Sequence, residues 1–281
     1  MLIVEKVKVF NFEGAMRGLR NPKDSWHLSD SIFDDSECCH PNPESITDCR
    51  TCELFQGFGE SCIPYIGPKD MKLAQTMIGA GTDESKFLRQ IFITMDITAP
   101  LYWWKEFDTY KVGTVANSCS TMPEIDAYPI THDMFSWYHE EEMDEGFWET
   151  VDRIIYECER LRQKFKETGD KKYWRALIQL IPESWMQKRT VTLNYQVARA
   201  QFFARRFHKL TEWHTLCEAY EALPYGKEFI TYEKPKKLDS ILVTLLSKLK
   251  IQFKTEDGNE MSREEVAKNV NTYCLMSLKE N

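Results

Sequence analysis

The run DITAPLYWWKEFDTYKVGTVANSCSTM, residues 96–122, constrains the fold more than any other stretch. It opens as an apolar, aromatic segment from Ile97 to Phe107, the composition of a buried element. Within a few residues it turns polar: Tyr110, Lys111, Gly113, Thr114, Asn117, Ser118 and Ser120 are small or hydrogen-bonding groups opened by one cation. A buried element that delivers a polar, glycine-containing loop presents a binding site from a rigid scaffold. A core segment followed by an ordinary surface loop has the same composition, so the stretch needs its context.

Upstream, residues 2–10 alternate apolar groups with Glu and Lys, as a half-buried strand does. A short helix is expected over 13–19, stopped by Asn21-Pro22. Arg17, Arg20, Asn21, Ser25 and Trp26 there form a polar-aromatic cluster, able to meet a phosphate or a ring, or to be a solvated helix end. Residues 70–78 read as a helix ended by the glycines at 79 and 81, and 87–95 as a strand. Residues 144–168 carry Phe147, Val151, Ile154, Ile155, Cys158, Leu161 and Phe165 at helical spacing, and 171–181 form a second helix ended at Pro182. TVTLN, 190–194, reads as a strand, followed by one long helix to about residue 220. On that helix Arg199, Arg205, Arg206, His208 and Lys209 make basic rows, the kind of cation set that converges on phosphate or simply faces water. FITYE, 229–233, reads as a strand or extended segment, and 235–281 as a helical extension with amphipathic spacing over 238–253 and a short helix over 262–276.

A length of 281 residues suits one large domain or two small ones, and a single domain is expected. The formal net charge of −8 argues against nucleic-acid binding through overall charge. No apolar run approaches the ~18 residues of a membrane span, and there is no signal peptide, so a soluble, cytoplasmic protein is expected. Five of nine cysteines crowd into 38–62, within a region 30–66 that reads as an inserted loop. Cys49-x-x-Cys52, with Cys39 and Cys62, is a candidate structural zinc site beside the alternative of unliganded loop thiols.

Two segments resemble the signature regions of the flavin-dependent thymidylate synthases. That family has an A-P-x-[FY] lead-in, a Gln, and then R-H-R-x-x-S-x-N-E-x-S-x-R. Here Ala99, Pro100, Leu101 and Tyr102 hold the lead-in, Glu106 falls at the Gln, and Thr109, Tyr110 and Lys111 fall on R-H-R. Thr114 stands for the first Ser; after one extra residue Asn117, Ser118 and Ser120 stand for N, E and S, and Met122 for the last Arg. In the second segment Pro182 meets the family's proline and Lys188 or Arg189 its following Arg. Asn194 meets its Asn and Arg205 its last Arg, with Gln196 and Gln201 as departures. Both histidines and the acid of the family's H-x-[ST]-x-x-E-H motif are replaced over 84–90.

The resemblance implies an α+β fold with a mixed sheet flanked by long helices, and reductive methylation of dUMP to dTMP. FAD would be the cofactor, NADPH and methylenetetrahydrofolate the co-substrates, and a homotetramer the assembly. It implies Thr109, Tyr110, Lys111, Asn117 and Asn194 for the flavin, and Glu106, Ser118, Ser120, Arg189 and Arg205 for the nucleotide. Lys111, Ser120 and Arg205 would carry the chemistry. Another pyrimidine nucleotide as substrate, or a nucleotide-binding protein without catalysis, are the other functions implied by the rewritten motif.

Overall fold

The computed structural model describes residues 1–33, 64–119, 125–137 and 143–234. The chain divides into units of Met1–Glu233 and Lys234–Asn281, and of the second only Lys234 is described. Cys39, Cys49, Cys52, Cys62, Ser120, Met122 and the helices expected over 238–253 and 262–276 therefore lie outside the described residues. The ends of the expected inserted loop are described: Ile32 and Tyr65 exchange backbone bonds of 2.9 and 3.1 Å across one antiparallel bridge.

The architecture is α+β. Strands β1 (Ile3–Phe10), β2 (Phe92–Pro100), β3 (Val115–Ser118) and β4 (Met186–Asn194) form a sheet of order β1-β2-β4-β3. Every pairing among them is antiparallel. The central pair is in register throughout, with Met95 opposite Val191 and Ile93 opposite Leu193. These four side chains are fully buried, which fixes the register, because a one-residue slip would send them to solvent. β2 begins later than the apolar composition over 87–95 suggests. Ser85 bonds back to the Gly81 carbonyl through both its N–H and its hydroxyl, and residues Lys86–Gln90 then form a 3-10 turn. Pairing consequently starts at Phe92 and runs on to Pro100.

Helices α1 (Phe12–Arg20), α2 (Pro68–Ala80) and α3 (Leu101–Phe107) pack with this sheet in one apolar core. Trp103, Trp104 and Phe107 of α3 meet Trp213 in that core, with ring centroids of Trp103 and Trp213 4.8 Å apart. Removing one such buried aromatic costs about 3–5 kcal/mol. Helices α4 (Glu145–Thr168) and α5 (Lys171–Leu180) build a second, separate core around Val151, Ile155, Cys158, Leu161 and Leu177. Their boundaries follow local chemistry. Asp144 accepts from the Phe147 N–H at 2.9 Å, Gly169 takes φ 67°, and Asp170 accepts from Lys172 N–H at 3.0 Å.

Two expectations are corrected. The single helix to about residue 220 is two: α6 (Tyr195–Arg205) and α7 (Thr211–Glu221). His208 makes the break: its Nδ1 accepts from the Leu210 N–H at 3.2 Å and its carbonyl meets His214 Nε2 at 2.8 Å. FITYE is not a strand, because residues Gly226–Ile230 form one π-helical turn. Arg199 holds that turn by donating from Nη1 to the carbonyls of Ile230 and Tyr232 at 2.7 and 2.6 Å. A side-chain cation from a distant helix is invisible to a local propensity reading.

Candidate functional site

The end of α3 and the end of α6 meet, and their polar groups interlock. Pro100 closes β2 and starts α3, whose apolar face is drawn into the core by Trp103, Trp104 and Phe107. That orientation leaves Glu106, on the other face, half-buried at the surface. Arg205, the last residue of α6, donates from Nη1 to Glu106 Oε2 at 3.0 Å and from Nε to the Tyr110 hydroxyl at 3.0 Å. Trp213 Nε1 donates to the same Glu106 oxygen at 2.9 Å, and His208 Nε2 lies 3.5 Å from it. The guanidinium also lies 4.8 Å from the Trp213 ring centroid. The side chains of Arg205 and Glu106 remain 20% and 34% exposed, so a ligand can reach this pair.

A second guanidinium is held by the same end of α3. Arg189 of β4 donates from Nη1 to Asp108 Oδ1 at 2.8 Å and from Nε to Gln187 Oε1 at 2.9 Å, and it lies over the Trp104 ring at 4.2 Å. Both arginines nominated from the sequence are thus paired with carboxylates two residues apart on α3 and its cap.

The loop from Asp108 to Thr114 is pressed onto α6. Gly113 has φ 77°, and a Cβ there would come within 2.9 Å of Asn194 Nδ2 and 3.3 Å of Val197 Cγ2, so only glycine fits. Asn194 itself has a structural task that the resemblance did not imply. Its Oδ1 accepts from the Val197 N–H at 3.0 Å, capping α6. Thr109 likewise serves the backbone, donating to the Glu106 carbonyl at 2.7 Å. Lys111 is exposed and forms no ion pair with another described residue. Asn117 and Ser118 lie in the exposed edge strand β3, opposite Thr190 and Arg189.

The structure therefore brings together Glu106, Tyr110 and Arg205, and pairs Arg189 with Asp108 at the cap of α3. It leaves Lys111 on the surface and Asn117 on the sheet edge. Sequence reasoning did not single out Trp213 as a wall of this cluster. A signal existed for the ion pair but not for the indole: an acid where the resembled motif has a neutral Gln demands a counter-ion, and Arg205 is the cation that the sequence offers.

Behind Trp213, Glu212 is almost fully buried. Burial alone would raise its pKa, but the Tyr102 hydroxyl at 2.5 Å and the Met1 ammonium at 3.3 Å hold it below the usual carboxylate range. Burial and that carboxylate push the Tyr102 phenol well up. This carboxylate is anchored structure, not a free base.

A recess of 390 Å³ opens elsewhere, between the end of α1, α2 and the 3-10 turn before β2. Leu19, Met77 and Phe87 give it apolar walls, while Lys23 and Lys86 are matched by Asp83 and Glu84, so its charges balance. Its volume falls within the ~300–1,000 Å³ of small-molecule sites. Ser25 of the sequence-derived polar-aromatic cluster lines it, whereas Arg20 is buried against Asp70 at 2.5 Å and takes no part. Among the described residues no group of three or more His, Cys, Asp or Glu is placed to hold a metal ion. Nor is any described helix long and apolar enough to cross a membrane.

No protein-family model and no curated protein matches the sequence. Solved structures do match. The flavin-dependent thymidylate synthase ThyX from Helicobacter pylori, complexed with FAD and dUMP, is similar over 81% of this chain and 99% of its own, at TM-score 0.54 and 16% identity. A second structure of that enzyme with FAD and dUMP is similar over 81% of this chain and 97% of its own, at TM-score 0.51 and 15% identity. The chain thus has a ThyX-like fold.

Proposed function

We propose that the protein is a flavin-dependent, thymidylate-synthase-like protein whose pyrimidine site is the cluster of Arg205, Glu106, Tyr110 and Trp213. The observation that carries this reading is the meeting of α3 and α6 at Arg205, within a fold whose solved neighbours hold FAD and dUMP. Two segments nearly a hundred residues apart, nominated together from sequence, converge on one partly exposed guanidinium. A planar donor fork beside a half-buried phenol suits a flat, carbonyl-bearing ring, and the buried Trp213 holds that fork and Glu106 in place. The activity proposed is reductive methylation of dUMP to dTMP, with NADPH and methylenetetrahydrofolate as co-substrates and a homotetramer as the working assembly.

The flavin is not assigned to the 390 Å³ recess, whose Lys23 and Lys86 are balanced by Asp83 and Glu84 and whose lining includes none of Thr109, Tyr110, Lys111, Asn117 or Asn194. When bound, the flavin supplies the hydride chemistry, and the protein supplies binding and electrostatics. Thr109, Asn117 and Lys111 remain proposed contacts at the mouth of the loop, and Ser118 and Ser120 proposed nucleotide contacts. A second reading keeps the fold and the ligand class but not the reaction. It is favoured by the pairing of both Arg205 and Arg189 with carboxylates.

Absorbance of the purified protein tests the flavin. A yellow protein that releases FAD on heating supports the enzymatic reading, and turnover of dUMP with the three co-reactants completes it. A colourless protein that does not take up added FAD, yet binds a pyrimidine, selects the second reading.

A further inference from the structure

We infer that Glu106 and Asp108 are specificity-determining residues that set the pyrimidine site against a phosphate dianion, so that it takes an uncharged pyrimidine nucleoside at least as well as its 5′-monophosphate. The inference rests on the pyrimidine assignment above and narrows it. Arg205 at this site, and Arg189 at the same end of α3, each already have a carboxylate at hydrogen-bond distance, 3.0 and 2.8 Å. Each pair is close to neutral, and the strongest donors a phosphate would need are already aimed at an internal anion.

Glu106 is not free to swing aside. Its Oε2 accepts from Arg205 and from Trp213 Nε1, and Trp213 is fully buried, so the indole fixes the carboxylate in place. A dianion reaching for Arg205 must therefore stand next to a held negative charge. It must share the guanidinium with that charge or break two hydrogen bonds to displace it. A neutral nucleoside meets neither obstacle, since it uses hydroxyl and carbonyl groups that coexist with the pair. Tyr110 and the remaining guanidinium edge suit such groups. Asp108 acts on Arg189 in the same way, and being half exposed it is the easier residue to alter without cost to folding.

The test is calorimetric titration of the full-length protein with 2′-deoxyuridine and with dUMP, for wild type, Glu106→Gln and Asp108→Asn. The wild type is expected to bind deoxyuridine at least as tightly as dUMP. Glu106→Gln keeps an acceptor for Trp213 and removes the charge. It should shift the ratio about tenfold or more towards dUMP, the loss of one opposing charge at a charge-assisted contact. Asp108→Asn should shift it the same way by less. A wild type that prefers dUMP about tenfold, or a ratio unmoved by Glu106→Gln in a protein of unchanged melting temperature, overturns the inference and leaves the pyrimidine site standing. If neither ligand binds any of the three proteins, the pyrimidine site itself is refuted, and this inference with it.

Discussion

Arg20 and Arg205 each grip a carboxylate, and the two pairs differ in what surrounds them. Arg20 Nε donates to Asp70 Oδ1 at 2.5 Å, while Ser29 and Ser31 hydroxyls each donate to Asp70 Oδ2 at 2.6 Å. Those two charged side chains are 6% and 0% exposed, so the pair ties α1 to α2 with its carboxylate fully satisfied and no room for a guest. Arg205 and Glu106 are 20% and 34% exposed, walled by Trp213 and Tyr110. The chemistry is the same in both. Enclosure makes the first a fastening, and the partial exposure of its charged groups makes the second a place where a ligand can exchange with the protein's own groups.

That contrast is broken most directly at the buried pair. Asp70→Ala strands a buried guanidinium and is expected to cost about 3–5 kcal/mol in equilibrium denaturation. A cost as large for Glu106→Ala would erase the distinction. Arg205→Ala is the converse. It should change stability by less than about 1 kcal/mol, as for other partly exposed pairs. Pyrimidine affinity should fall by about tenfold or more, read by titration. A third pair lies between the two: Glu159 receives Arg162 at 2.7 Å through both oxygens, and one of them also accepts from the Ile130 N–H at 2.8 Å.

The Arg162 hydrogen bond is the main reason the Glu159 carboxyl is held at about 2, below its ordinary 4.5. A depressed folded-state pKa adds stability that is complete above the ordinary value and lost as pH falls through the folded one. The wild type should therefore exceed Glu159→Gln in stability above about pH 4.5 and lose that margin towards pH 2 in acid denaturation. The smallest effect belongs to Lys111→Ala, expected to stay within about 0.5 kcal/mol of wild-type stability, since the side chain is exposed. Its effect on pyrimidine affinity should be smaller than that of Arg205→Ala.

The scaffold was legible where pattern and caps agree. The helix over 144–168 shows seven apolar residues at helical spacing, and the structure gives Glu145–Thr168 between Asp144 and Gly169. Alternation placed β1, and β-branched TVTLN placed the end of β4. Legibility failed where a distant side chain decides. Neither Arg199 clasping the π-helical turn nor the His208 bond that breaks α6 from α7 has a local signature. The site was half legible for the same reason. Its cations and its loop could be named from residues 96–122 and 181–205. Their neutralisation by Glu106 and Asp108 depends on how α3 is rotated, which the burial of Trp103, Trp104 and Phe107 decides. Asn194 shows the converse: a polar residue implied for a ligand is occupied in capping a helix.

The account stands on the location of the pyrimidine. Photo-crosslinking of 5-iodo-2′-deoxyuridine to the full-length protein, followed by peptide mapping, reads that location without assuming affinity or turnover. The expected adducts fall on the peptide carrying Tyr110 and disappear with excess deoxyuridine. Adducts confined to α4 and α5, or unaffected by that competitor, would place the ligand elsewhere and contradict the assignment of Arg205.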